Sequence, residues 1–130
     1  MKKLMPIFLL ILSPLVTAQE KEIWACQEID TNGFKWSNDQ WDRQGFKAGN
    51  MLVTIDGSFS ILKVGNRERV MTCTGSGTWF CVDSLETDFF RLNATTGEAA
   101  RSVLFGAVYN HDSYSGRDDV ALSLYQCTKF

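Results

Sequence analysis

The stretch that decides the fold is the last one in the chain, Asp118-Asp119-Val120-Ala121-Leu122-Ser123-Leu124-Tyr125-Gln126-Cys127-Thr128-Lys129-Phe130. Its side chains alternate in character at every second position. One face carries Val120, Leu122 and Leu124, and the other carries Ala121, Ser123, Tyr125 and Cys127. This alternation predicts a β-strand.

A similar pattern stands near the other end of the chain. In Ile23-Trp24-Ala25-Cys26-Gln27 an aromatic residue precedes a cysteine by two positions, as Tyr125 precedes Cys127. In a strand, ring and sulfur then lie on one face. We therefore expect the first and last strands to lie side by side, joined by a Cys26–Cys127 disulfide, with successive hairpins between them.

The other two cysteines, Cys73 and Cys81, complete an even number, which in a small exported domain indicates two disulfides. Three pairings are possible. We favour Cys26–Cys127 with Cys73–Cys81, because the turn sequence Gly75-Ser76-Gly77 would bring Cys73 and Cys81 face to face across a hairpin.

The beginning of the chain predicts a signal peptide over residues 1–18. Lys2 and Lys3 precede an apolar run over 4–16 that is short for a membrane span, and Val16-Thr17-Ala18 fits a signal-peptidase site. We expect a single domain over 19–130, periplasmic or secreted, soluble and monomeric, with no membrane insertion after cleavage.

The charge of this domain argues against two classes of partner. Without Lys2 and Lys3 the 13 basic residues fall to 11 against 15 acidic ones, a net charge of −4. Nucleic acid and anionic membrane surfaces attract basic proteins, so we expect neither as a partner.

Three hairpins are predicted after the first strand. A turn over 30–33 leads to a hairpin around Asn38-Asp39, where a two-residue loop would place Trp36 opposite Trp41 and Lys35 opposite Asp42.

A second hairpin, around Asp56-Gly57, is expected to have a three-residue loop over 55–57 that pairs Val53 with Phe59 and holds Gly57 in the left-handed conformation. Gly65-Asn66 turns the chain into the third, formed by residues 69–74 and 78–84.

Residues 96–106 can be interpreted in two ways. Thr95-x-x-Glu98 fits a helix capping box, whereas Val103, Phe105, Val108 and Tyr109 favour a strand, which we prefer. The chain as a whole is therefore predicted to be all-β, an antiparallel meander of eight to ten short strands. It should form a small barrel or a two-layer sandwich, with at most one short helix near 96–106.

No catalytic, metal or cofactor site is predicted. His111 is the one histidine, and although it stands near Asp112, Asp118 and Asp119, a single imidazole in a polar loop favours a solvated loop over a metal site. Carboxylate pairs such as Asp83 with Glu86 would do acid–base chemistry only in a desolvated cleft.

The best candidates for a binding surface are the aromatic residues of the first hairpin, Phe34, Trp36, Trp41 and Phe46. Tryptophans on a sheet stack on sugar rings or anchor protein interfaces. They also fill the cores of small barrels, and we expect these four to be core rather than an exposed platform.

One short motif carries a family resemblance. Ser76-Gly77-Thr78-Trp79-Phe80 resembles the Ser-Gly-x-x-Tyr signature of bacterial periplasmic lysozyme inhibitors, small disulfide-containing β-barrels that insert a loop into the lysozyme cleft. The resemblance covers five residues, and Phe80 lacks the tyrosine hydroxyl. It implies that Ser76, Gly77, Thr78 and Phe80 contact a partner.

The chain also resembles small exported bacterial proteins of unassigned function that have a Trp/Tyr-x-Cys start, an Asn-x-x-Thr-Gly hairpin and an aromatic-x-Cys end. We interpret the sequence as an exported, non-catalytic module that binds a protein or glycan through hairpin loops. The alternatives are a periplasmic lysozyme inhibitor and a small hydrolase. A raised carboxyl pKa in a cleft would favour the hydrolase, and an exposed aromatic patch or protruding loop would favour a binder.

Overall fold

The computed structural model describes residues 20–38, 40–46, 48–104 and 120–130, and these form nine β-strands and no helix. The predicted signal peptide, 1–18, lies outside the described residues. The strands are β1 (Glu22–Ser37), β2 (Gln40–Gly45), β3 (Asn50–Asp56), β4 (Phe59–Val64), β5 (Arg67–Ser76), β6 (Thr78–Val82), β7 (Asp88–Asn93), β8 (Glu98–Val103) and β9 (Val120–Lys129). In the described part of the chain, nothing forms a helix long and apolar enough to cross a membrane.

The strands form a closed antiparallel barrel. From β3 to β9 each strand pairs with the next, and β1 pairs with both β3 and β9, which closes a barrel of eight strands. The ninth strand, β2, pairs with β1 beyond its pairing with β3. The predicted all-β meander is thus confirmed, as a barrel rather than a sandwich. The strand interpretation is confirmed over β8, and Phe105 and Gly106 lie outside the described residues.

Both predicted disulfides are confirmed. Cys26 lies directly opposite Cys127 across β1 and β9, and the two sulfurs are bonded. Cys73 lies opposite Cys81 across β5 and β6 and is also bonded. The first bridge closes the barrel between its first and last strands, and the second braces a hairpin.

The turn predicted over 30–33 is wrong, because β1 runs through it as one strand of 16 residues. A β-bulge between Glu28 and Asp30 bends the strand. Beyond the bulge, the side chain of Thr31 points inward, and its hydroxyl hydrogen-bonds that of Ser123 over 2.7 Å. Gly33 crosses β9 so closely that a Cβ atom would lie 1.9 Å from the Val120 carbonyl oxygen. The polar residues that suggested a turn therefore pair with β9.

The hairpin registers divide into one confirmed and one corrected prediction. Trp36 pairs with Trp41 as expected. In the second hairpin Asp56 pairs with Phe59, so the loop is Gly57-Ser58 and the expected three-residue loop is wrong. Gly57 has the predicted positive φ, 61°, at the first loop position, where a type II′ turn requires glycine. Phe59 consequently points outward.

The core fills the barrel interior with apolar side chains from every strand of the barrel. The largest members are Trp24, Ile55, Leu62, Met71, Trp79, Phe90, Leu92 and Tyr125. In β9 the inward face is the more polar one, with Ser123, Tyr125 and Cys127, whereas Leu122 and Leu124 point outward and are 56% and 48% exposed. Two leucines on the outer surface need an explanation other than core packing.

Candidate binding surfaces

The structure places the sequence-predicted binding residues at two opposite ends of the barrel. In an antiparallel meander successive turns alternate between the ends. The start of β1 and the turns β3–β4, β5–β6 and β7–β8 form what we call the upper end, and the β1–β2 hairpin lies at the lower end. Trp36 and Trp41 therefore do not share a site with Ser76, Gly77, Thr78 and Phe80.

The aromatic hairpin at the lower end lies outside the core, which corrects the expectation that it forms core. The Trp36 and Trp41 rings meet edge to face, with centroids 5.2 Å apart and planes at 72°. Both rings and Phe46 are half-buried, and Phe34 is 47% exposed. Among the described residues β2 pairs only with β1, whose residues 32–34 pair with β9 on the other side.

The turn at the upper end, residues 76–80, has a braced backbone. Gly75 and Gly77 have φ values of 114° and 77°, which glycine adopts without strain. A Cβ atom on Gly75 would lie 2.1 Å from the Thr78 carbonyl oxygen. The Cys73–Cys81 bridge lies just below, and the Ala94 N–H donates to the Gly77 carbonyl at 2.7 Å. The turn is thus fixed by a disulfide and by the neighbouring β7–β8 turn.

The side chains of the 76–80 turn are divided between the core and the surface. Trp79 is buried, and its indole N–H donates to a carboxylate oxygen of Glu22 at 3.3 Å. The other side chains face outward, with Ser76 exposed, Thr78 half-buried and Phe80 45% exposed beside Phe89. Among the described residues, the Ser76 and Thr78 hydroxyls have no side-chain hydrogen-bond partner. They are available to a ligand.

A groove that the sequence does not predict lies beside this turn. It has a volume of about 480 Å³ and runs over the outer face of the barrel next to β8. Its lining includes Ile29, Thr78, Arg91, Glu98, Ala100 and Leu124. The sequence signal that could have found it is the small outward residue of β8, Ala100, flanked by long outward residues on β7 and β9. This signal has a meaning only once the strand pairing is known.

The buried carboxylate of Asp83 is a structural acceptor. It receives hydrogen bonds from the Thr87 N–H at 2.8 Å, the Asp88 N–H at 3.0 Å and the Thr87 hydroxyl at 3.1 Å. Burial by itself raises the pKa of Asp83, but these hydrogen bonds and the Arg69 charge together hold the pKa below its ordinary value. Asp83 is therefore ionised at neutral pH, unlike a general acid.

The carboxylate of the neighbouring Asp88 is likewise engaged, here by two arginines. The Arg101 guanidinium binds both carboxylate oxygens of Asp88, and Arg69 Nε lies 3.6 Å from one of them. Burial lowers the pKa of Arg101, but the bond to Asp88 outweighs it and the net shift is upward. The proposed partner of Asp83, Glu86, has an exposed side chain on the connecting loop.

The remaining chemical candidates are the single histidine and the carboxylates near it in the sequence. His111, Asp118 and Asp119 lie outside the described residues. Within 20–38, 40–46, 48–104 and 120–130, no three residues of the types that ligate metals lie together. The candidate features within the described part of the chain are therefore two surfaces and a groove.

Comparison with known proteins adds no family. The chain matches no protein-family model, and no curated protein or solved structure is significantly similar to it. The resemblance of the 76–80 turn to lysozyme inhibitors therefore stays a prediction. Because one fold serves many functions, the function has to be argued from the surfaces themselves.

Proposed function

We propose that this protein is an exported, non-catalytic binding module that engages a protein or glycan partner through its hairpin loops, chiefly the 76–80 turn. The observation that carries this proposal is that the backbone of the turn is fixed while its outward hydroxyl groups have no side-chain hydrogen-bond partner among the described residues. Gly75, the Cys73–Cys81 bridge and the Ala94–Gly77 hydrogen bond brace the turn, while the Ser76 hydroxyl faces outward. A loop that is already rigid loses little entropy on binding.

Two further observations support the exported and non-catalytic parts of the proposal. Two disulfides are compatible with an oxidising compartment outside the cytoplasm. The buried carboxylates, Asp83 and Asp88, are engaged by backbone N–H groups and arginines. Side chains committed to such bonds stabilise the barrel and are poor acid–base catalysts.

The experiment that tests this proposal is capture of a partner by the immobilised mature domain from an envelope extract, with chemical cross-linking before elution. The test variant is Ser76→Ala combined with Thr78→Ala, and the matched control is Trp36→Ala combined with Trp41→Ala at the lower end. We expect the first variant to lose the captured protein and the control to keep it. Equal capture by both variants and the wild type would argue against the 76–80 turn.

A glycan partner is tested with the same set of variants. Sugar rings stack on accessible aromatic faces, and the lower end has Phe34, which is 47% exposed, with the half-buried rings of Trp36 and Trp41. If the partner is a glycan bound there, retention on an insoluble cell-wall polysaccharide should fall for the tryptophan variant and stay for the serine–threonine variant. Loss in the opposite order would assign the glycan to the upper end.

Lysozyme inhibition is the second candidate, and the exposed Ser76 hydroxyl on a rigid turn favours it. Inserted into the cleft, this hydroxyl would donate to a catalytic carboxylate. Ser76→Ala with Thr78→Ala should then abolish inhibition and leave the melting temperature nearly unchanged, because exposed turn side chains contribute little to stability.

The inhibition assay needs defined salt. The mature chain is acidic and lysozymes are basic, so charge attraction alone would slow lysis at low ionic strength. Cell-wall lysis is therefore measured at about 0.15 M salt, where such attraction is screened beyond about 8 Å. Unslowed lysis with wild-type protein in excess would remove this candidate and leave the binding proposal standing.

A further inference from the structure

The groove beside β8 is built by the sizes of outward side chains on three neighbouring strands. Leu124 on β9 pairs with Ala100 on β8, and Ala100 pairs with Arg91 on β7. The strands flanking β8 are separated by roughly 10 Å, twice the usual spacing. A methyl group between two long side chains at that separation leaves a trough along β8.

The two walls of this trough differ in chemistry. Leu124 and Ile29 form an apolar wall, and both are about half exposed or more, at 48% and 64%. Ile29 is there because the β-bulge adds a residue to β1 at this level. The opposite wall carries Arg91, which has no carboxylate within 4.0 Å among the described residues. A ligand that complements both walls has an aliphatic group beside an anion.

The upper rim of the groove adds hydrogen-bonding groups. Glu98 pairs across the strands with Gln126 on β9, and Asn93 lies next to Thr78 on β6. The Asn93 side-chain oxygen already accepts from the Thr95 and Thr96 N–H groups, so its NH₂ group is left as a donor. The Glu98 carboxylate accepts a hydrogen bond from the Thr96 hydroxyl, and its remaining lone pairs can accept further hydrogen bonds. A hydrogen-bond donor and a hydrogen-bond acceptor at the same rim complement the C=O and N–H of an amide group. A simple acyl chain has no such group.

We propose that this groove binds a peptide segment in which an aliphatic side chain adjoins a carboxylate. The aliphatic side chain packs between Ala100 and Leu124, and the carboxylate pairs with Arg91. The backbone amide of the peptide meets Asn93 and Glu98. This inference deepens the proposed binding function and rests on it, since the groove shares Thr78 with the 76–80 turn.

The test uses N-acetyl-leucine as the probe, because it carries an aliphatic side chain, an amide and one carboxylate. Its binding to the ¹⁵N-labelled mature domain is followed through backbone amide shifts. We expect saturable shifts confined to β8, β9 and residues 78 and 91–93, with a dissociation constant in the millimolar range. N-acetyl-leucine amide, which lacks the charge, should bind about tenfold more weakly.

Variants locate the site. Ala100→Phe fills the trough and should abolish the shifts, while Ala48→Phe, an exposed alanine outside the strands, should leave them. Arg91→Gln should weaken binding about tenfold, whereas Arg67→Gln, an exposed arginine at the lower end, should not. The Arg91 pair keeps the test informative if Ala100→Phe disturbs folding.

Three outcomes would overturn the proposal. Saturable shifts that survive Ala100→Phe would place the ligand elsewhere, and unchanged affinity in Arg91→Gln would remove the carboxylate contact. Octanoate binding more tightly than N-acetyl-leucine would assign the groove to acyl chains.

The groove and the proposed function fail separately. If the wild type gives no shifts with N-acetyl-leucine while the Ala100→Phe variant still captures the envelope partner, the groove inference is wrong and the binding module stands. If N-acetyl-leucine binds as expected but no partner is captured, the groove stands and the proposed use of the 76–80 turn does not.

Discussion

The hairpins β1–β2 and β5–β6 are the same structural unit, two antiparallel strands with a tryptophan near the turn, but they are stabilised in different ways. In β5–β6 the Trp79 side chain is 3% exposed in the barrel core, and a disulfide joins the strands. In β1–β2 the Trp36 and Trp41 rings contact each other outside the core, and among the described residues no disulfide reaches β2.

This difference comes from barrel closure rather than from local sequence. β1 pairs with β3 and then with β2 along the same edge, so β3 belongs to the closed barrel and β2 adds to a protruding extension. A tryptophan inside the closed barrel is packed among core side chains from eight strands, whereas Trp36 and Trp41 lie outside that core and are half-buried. The comparison predicts that substitutions in β5–β6 change global stability and that those in β1–β2 change local order.

The largest expected effect tests the closure on which both hairpins depend. Replacing Cys26 and Cys127 by serine removes a bridge with a sequence separation of 101, and replacing Cys73 and Cys81 removes one with a separation of 8. From loop entropy we expect losses of roughly 4 to 5 kcal/mol and roughly 2 to 3 kcal/mol in the free energy of unfolding. Denaturant unfolding of both double variants measures the difference. A larger loss for the Cys73–Cys81 pair would mean that closure is not the main stabilising constraint.

A substitution of the same residue type in each hairpin sharpens the comparison. Trp79→Ala leaves a cavity in the core and should lower the free energy of unfolding by about 3 to 5 kcal/mol. Trp41→Ala removes a half-buried ring on the extension, where opening is local, and should lower the free energy of global unfolding by no more than about 0.5 kcal/mol. Thermal unfolding by circular dichroism measures both. Similar losses would place the β1–β2 hairpin within the cooperative core.

The contrast also explains what the sequence could predict. The Cys26–Cys127 pairing and the Trp36–Trp41 register were predictable, because each depends on a local pattern: an aromatic two residues before a cysteine, or complementary pairs around a two-residue loop. The turn expected over 30–33 was wrong because Thr31 finds a buried partner in Ser123, 92 positions away. Local composition does not contain that contact.

The surfaces were less predictable for the same reason. The expectation of a core role for Phe34, Trp36, Trp41 and Phe46 failed because the sequence does not show which strands the barrel includes. The groove requires the sizes of Leu124, Ala100 and Arg91 to be compared across three strands whose pairing is known only from the structure. In contrast, the exposure of Ser76 follows from its place between two glycines, which is a local feature.

The two glycines of the 76–80 turn region provide a finer test of how that turn is braced. Both have positive φ, but a Cβ atom on Gly75 would meet the Thr78 carbonyl oxygen at 2.1 Å, whereas one on Gly77 would meet nothing within 4 Å. We expect Gly75→Ala to cost about 3 kcal/mol and Gly77→Ala about 1 kcal/mol, the latter from backbone strain alone. Chemical denaturation of the two variants checks this, and equal costs would show that the close approach relaxes easily.

The smallest expected effect concerns the contact between the two tryptophan rings of the β1–β2 hairpin. The Trp36 and Trp41 rings meet edge to face with centroids 5.2 Å apart, a geometry whose interaction is worth about 0.5 to 1.5 kcal/mol beyond area burial. A double-mutant cycle with Trp36→Ala and Trp41→Ala isolates that energy, because contacts that each ring makes separately cancel in the cycle.

The cycle is best measured by hydrogen exchange of the β1–β2 amides, since local opening of the extension should be decoupled from unfolding of the barrel. The control is exchange of the β5–β6 amides, which should be unchanged in all three variants. A coupling energy near zero would mean that the hairpin is held by its polar pairs, such as the Ser37 hydroxyl with Asp42, rather than by its aromatic rings.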